Sequence, residues 1–177
     1  MENIEYLKKQ MSIMLNLFNG KHYDDLIYKG NLLIKKFPNQ AFLYNITSLA
    51  YNASGRAAES RELLFKILKK EPKNFNVLNN LGLACSELGD NEHAEEYYNK
   101  AIALNSNFPD PLLNLGNLKT KQNKNEEAKD LFIKTLRCVI KQVEHFDINL
   151  SLETDLPPKI ISSLIKKIDS KIVKVNY

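Results

Sequence analysis

Three histidines, two cysteines and the adjacent acidic pairs Glu95-Glu96 and Glu126-Glu127 stand out among the side chains with which this chain could do covalent, metal or acid–base chemistry. His22, His93 and His145 are scattered, and none has a Cys, Asp or His at the i, i+4 spacing that sets two ligands on one helix face. Cys85 and Cys138 form no C-x-x-C motif and are too few for a disulfide framework. Glu95-Glu96 and Glu126-Glu127 fall where helices are expected to begin, and there the helix dipole alone accounts for acid. With six glycines in the chain, no Gly-rich phosphate loop is present. No catalytic residue, metal site or cofactor is therefore expected, and the chain reads as no enzyme. Amide chemistry remains. Asn-Leu-Gly stands at 80–82 and again at 114–116. A side-chain amide offers one acceptor and two donors, which match the C=O and N–H of an extended peptide backbone.

Composition narrows the classes further. The 177 residues suffice for one ordinary domain with its own core. Hydrophobic residues at 44% and charged residues at 26% suit a soluble globular chain and are too apolar for disorder. Lys and Arg total 25 against 21 Asp and Glu, a net charge of +4, and arginine occurs only at Arg56, Arg61 and Arg137. Nucleic-acid binders concentrate Arg and aromatics in a basic stripe, so no nucleic-acid partner is expected. No run of 18 apolar residues predicts a membrane span, and the N-terminus has no secretory hydrophobic region. Free thiols and the absence of a leader point to the cytoplasm.

The recurrence of Asn-Leu-Gly fixes the elements that must carry these amides. The interval from Asn80 to Asn114 is 34 residues, and it rules most of the chain. Units of that length begin near residues 7, 41, 75 and 109. In the third, Leu81 and Gly82 occupy positions 7 and 8, Ala94 position 20, Tyr98 position 24 and Ala101 position 27. The fourth places Leu115, Gly116, Ala128, Phe132 and Thr135 at the same positions. Apolar residues recur at helical spacing within each unit, as in Leu78, Leu81, Cys85 and Leu88. Turns are predicted at Ser54-Gly55, at Leu88-Gly89-Asp90 and at Lys36-Phe37-Pro38. Two helices per unit follow, with small residues where they approach closely. Neighbouring units then stack, because a helix pair cannot cover its own apolar faces.

These residues resemble a tetratricopeptide repeat array, whose 34-residue unit carries Leu-Gly, Tyr, Ala, an aromatic, Ala and Pro in that order. The resemblance covers about Leu7 to Ile140, is strongest in the third unit, and lacks the family's Trp. It implies an all-α fold, a right-handed superhelix of stacked antiparallel helix pairs, over 1–142 (units about 7–40, 41–74, 75–108 and 109–142). It also implies a non-catalytic interaction module that takes a protein or peptide partner in a concave groove lined by positions 2, 5, 6, 9, 12 and 13. On that frame Asn80 and Asn114 share position 6, Asn45 and Asn79 position 5, Asn76 position 2, Asn117 position 9 and Asn52 position 12. Phe42, Leu49 and Leu83 supply apolar contact beside them. The repeated position-6 amides are similar to the asparagine ladder of protein O-linked N-acetylglucosamine transferase, although only Asn80 and Asn114 match it. The carboxylate clamp of co-chaperone repeats is not expected, because Met11, Leu15, Ile46, Asn76 and Asn80 stand where its cations and asparagines belong.

Beyond Cys138 the pattern lapses. Phe146, Ile148, Leu150 and Leu152 alternate as in an extended strand, and Asp155 with Pro157-Pro158 predicts a helix start. Residues 143–177 read as an extended segment and a capping helix, or as the opening of a truncated domain. Two alternatives for function accompany the scaffold. One is the substrate-docking segment of a larger glycosyl- or sulfo-transferase, since the order of units resembles the repeat segments of bacterial multidomain transferases. The other is a self-associating structural module.

Overall fold

The computed structural model of the protein describes residues 2–142, and every described element is a helix. In chain order these are α1 (Glu2–Asn19), α2 (Tyr23–Lys36), α3 (Ala41–Ala53), α4 (Ala57–Leu68), α5 (Phe75–Glu87), α6 (Asn91–Leu104), α7 (Pro109–Lys121) and α8 (Asn125–Gln142). Three first helices start at Ala41, Phe75 and Pro109, and all four second helices start at Tyr23, Ala57, Asn91 and Asn125. Both series repeat at the 34-residue interval. α1 departs from it, beginning five residues ahead of the first unit. The segment expected to hold a strand and a capping helix, 143–177, lies outside the described residues.

Local chemistry sets the helix ends. Asn74 caps α5, its side-chain oxygen accepting from the backbone N–H of Asn76 at 3.1 Å and Val77 at 3.2 Å. Pro109 opens α7, where a missing N–H costs nothing. α2 begins with Asp24 and Asp25 and ends with Lys35 and Lys36, matching both poles of its dipole. Between the two helices of each unit the chain enters the left-handed region at one recurring position: Lys21 (φ 60°), Gly55 (76°), Gly89 (78°) and Asn123 (61°).

The chain divides into two compact units, Met1–Tyr97 and Tyr98–Tyr177. In the first, α1 packs on α2 and α3, α2 on α3, α3 on α4 and α5, and α4 on α5. Its core gathers Met14 from α1, Leu26 and Leu33 from α2, Leu43 and Tyr44 from α3, Leu64 and Ile67 from α4, and Val77 and Leu81 from α5. α2 comes so close to α3 that a Cβ on Gly30 would collide with the side chain of Thr47. Thr47 has no slack, because its hydroxyl already donates to the Leu43 carbonyl at 2.6 Å.

In the second unit α7 and α8 form an antiparallel pair around Ala128, Phe132 and Leu136. Gly116 lets the helices close: an added Cβ would stand 2.5 Å from Phe132 Cε1. The same pair carries a charged group inside. Lys119, whose side chain is 7% exposed, reaches Glu127 Oε2 of α8 at 3.0 Å.

Candidate functional site

The expected binding residues of the first unit fall on two helices that touch. Phe42, Asn45, Leu49 and Asn52 lie along one face of α3, spaced by three or four residues. Asn76, Asn80 and Leu83 lie on α5 with the same spacing, and Asn79 is next to Asn80 in the chain. Phe42, Asn45, Leu49, Asn52 and Leu83 are half-buried and Asn76 is exposed. Asn79 and Asn80 are buried, 5% and 6% exposed.

Burial gives the asparagines different tasks. Asn80 Nδ2 donates to Asn45 Oδ1 across the α3–α5 contact at 3.1 Å, and Asn79 Nδ2 donates to Asn80 Oδ1 at 3.4 Å. Asn80 is thus a strut between two helices, with its acceptor and one donor engaged. Asn45, half-buried, uses its oxygen for Asn80 and leaves its NH2 group without a bond inside the described protein. Asn52 is held differently again. Both of its amide atoms are shielded from solvent and have no partner among the described residues. Such a group forfeits roughly 1–3 kcal/mol of desolvation until it finds one. Asn76 lines a cleft of about 470 Å³ at the α4–α5 turn, together with Glu71, Pro72, Lys73, Asn74 and Phe75.

Asn114 and Asn117 lie half-buried on α7, in the second unit. The structure therefore brings Asn45, Asn79 and Asn80 into one hydrogen-bonded group, while Asn114 and Asn117 belong to the other unit. Met11 and Leu15 of α1 were not expected at the site, yet they are 44% and 37% exposed. They occupy positions 5 and 9 of their unit, the positions that Asn45 and Leu49 occupy in α3. That frame was the signal that could have found them.

The titratable groups offer little chemistry. Burial pushes the Cys85 thiol above its ordinary range, with Asp90 adding to the effect, so the nucleophilic thiolate is disfavoured. His93 Nδ1 stands 2.9 Å from Asp90 Oδ1, three residues back at the start of α6. This hydrogen bond raises the His93 pKa and lowers that of Asp90. His22 makes a looser approach of 4.0 Å to Asp25. Each pair lies three residues apart, a spacing outside the i, i+4 search, and stands at a helix start. Among the described residues no group of three or more His, Cys, Asp or Glu is placed to hold a metal, and no helix is long and apolar enough to cross a membrane.

Comparison with known proteins decides the family. Tetratricopeptide repeat models match residues 75–108 and 112–141. The photosystem I assembly protein Ycf3 of Rippkaea orientalis is 31% identical over 120 residues, covering 59% of this chain and 69% of that protein. The chain belongs to the tetratricopeptide repeat family. Another relative, the TPR repeat-containing protein MJ1428 of Methanocaldococcus jannaschii, is 29% identical over 93% of this chain, which spans 33% of its length. Among solved structures, the tetratricopeptide repeat protein TTC0263 of Thermus thermophilus superimposes with a TM-score of 0.70 at 16% identity, covering 89% of this chain and 79% of its own. The Sgt2 TPR domain of Aspergillus fumigatus gives 0.61 at 24% identity, covering 66% and 79%. The tetratricopeptide repeat fold, stacked antiparallel helix pairs without strands, is that of a protein-interaction scaffold.

Proposed function

We propose that the chain is a non-catalytic scaffold that holds an extended peptide or a partner helix against the inner faces of its first helices. One observation carries this reading. α3 and α5 present a bonded amide pair, Asn45 and Asn80, each with a half-buried leucine, Leu49 or Leu83, one turn further along its helix. Apolar surface supplies affinity that depends little on sequence, and the amides satisfy polar backbone groups that would otherwise lose water without recompense. Asn114 and Asn117 offer the same chemistry on α7. The name of the Rippkaea relative, an assembly protein, agrees with a chain whose work is to hold other polypeptides. Free thiols at Cys85 and Cys138 fit a reducing compartment, and the cytoplasm is the proposed location.

Affinity capture from source-cell lysate tests the reading, with the intact chain compared with the Asn45→Ala/Leu49→Ala variant. Both substitutions fall on half-buried side chains, so the variant is expected to keep its helical circular dichroism. A partner held by the wild type and lost by the folded variant supports the groove. Partners retained unchanged would move binding to the outer helices.

A further inference from the structure

The chain is 26% charged, but α3, nearly all of α5 and the second half of α1 carry almost none of that charge. α3, AFLYNITSLAYNA, contains no Asp, Glu, Lys, Arg or His. α5, FNVLNNLGLACSE, has one residue of those five types, Glu87, at its last position. In α1 the charged residues end at Lys9, so residues 10–19 are neutral. The second helices differ: α2 holds Asp24, Asp25, Lys29, Lys35 and Lys36, and α4 holds Glu59, Arg61, Glu62 and Lys66. Average composition would spread charge over all five. The neutral stretches are those that bear Met11, Leu15, Leu49 and the amide pair, and α3 touches both α1 and α5.

From this we infer that the partner is an extended polypeptide segment without ionised side chains, and that its recognition is insensitive to salt. The inference rests on the groove reading above and specifies its ligand. Lys8 and Glu87 stand at the two ends of this face. A carboxylate or ammonium group laid on the neutral stretch between them would shed water and meet no opposite charge there, so charged segments are selected against. A neutral segment meets apolar side chains at Met11 and Leu15, then amide groups at Asn45 and Asn52. The free NH2 of Asn45 donates to a strand carbonyl. Asn52, without a partner among the described residues, gains one by turning toward the strand. Packed helix axes lie about 8–10 Å apart, so crossing α1, α3 and α5 spans roughly 20 Å, or about six residues of extended chain.

Fluorescence anisotropy with three synthetic peptides of about eight residues tests this: one alternating Leu with Ser and Gln, one with Glu replacing the polar residues, one with Lys. The full chain is titrated with each from about 50 to about 500 mM salt. The neutral peptide is expected to bind roughly tenfold or more tightly than either charged one, with a dissociation constant that changes less than about twofold across the salt range. Asn45→Asp keeps the oxygen that accepts from Asn80 and adds one charge. It is expected to weaken the neutral peptide about tenfold and make binding of the Lys peptide salt-dependent. Tighter, salt-sensitive binding of a charged peptide to the wild type, reversed by Asn45→Asp or Leu49→Ala, overturns the neutral-ligand inference and leaves the groove reading standing. Binding that neither substitution alters overturns both. No binding of the neutral peptide at about 1 mM overturns the inference.

Discussion

At the scale of single residues, one backbone position shows how much a repeat dictates. Four left-handed residues, Lys21, Gly55, Gly89 and Asn123, follow each other at the 34-residue interval. Glycine accepts this conformation freely and asparagine tolerates it, whereas lysine strains to reach it. An added Cβ at Gly55 or Gly89 meets nothing within 4 Å, so substitution there tests backbone conformation without steric contact. Gly89→Ala is expected to destabilise by about 1 kcal/mol, and Lys21→Gly to stabilise by about 0.5–1 kcal/mol. Urea denaturation measures both. A stability loss in Lys21→Gly would show that its side chain, not its backbone, decides that turn. The turns at Gly55 and Gly89 were legible from sequence because glycine advertises a positive φ. At the first turn the glycine misleads. Gly20 stands one residue early, Lys21 takes the strained conformation, and register reveals it where residue type does not.

At the scale of helices, the 34-residue period was legible, because small and large side chains recur where two cylinders meet. α6, by contrast, begins at Asn91, four residues ahead of the acidic pair expected to open it. What composition hid was which polar side chains go inside. Position 11 holds Leu17, Tyr51, Cys85 and Lys119 in the four units, a packing position in the first three. Lys119 is buried there too, its ammonium carried to Glu127 of α8. The pairing holds the Glu127 carboxyl below the usual carboxylate range. A lysine in the right slot reads as a defect in the pattern until the acid on the facing helix is known. Removing one partner strands the other, while an apolar isostere removes the desolvation cost along with the bond. Glu127→Gln is therefore expected to lower the melting temperature, and Lys119→Met to lower it less or raise it. The reverse order would mean that the ion pair, not the packing of the lysine stem, holds α7 on α8. The asparagines taught the same lesson. Their shared face was what the family resemblance implied, but the burial of Asn80 as a strut depended on the approach of α3 to α5.

At the scale of the whole molecule, a repeat array is a chain of local contacts. In such an array stability is approximately a sum of unit and nearest-neighbour terms rather than one global property. The close approaches at Gly30 and Gly116 place one such term in each compact unit: Gly30 beneath Thr47, Gly116 beneath Phe132. Overpacking of this kind costs typically about 1–3 kcal/mol. Native-state hydrogen exchange resolves where that loss is felt, because amides open in cooperative local groups. Gly116→Ala is expected to speed exchange in α7 and α8 by roughly five- to hundredfold and to leave the amides of α2 and α3 near their wild-type rates. Gly30→Ala is expected to do the opposite, and Thr47→Ala, which clears the colliding side chain, to restore part of the loss. Uniform acceleration along the whole chain in either variant would contradict the local picture. The protein would then unfold as one cooperative body, and a substitution on the α3–α5 face could no longer be assumed to leave the second unit intact. The experiment thus bears on function as well, since a binding defect in Asn45→Asp is interpretable only where damage stays local.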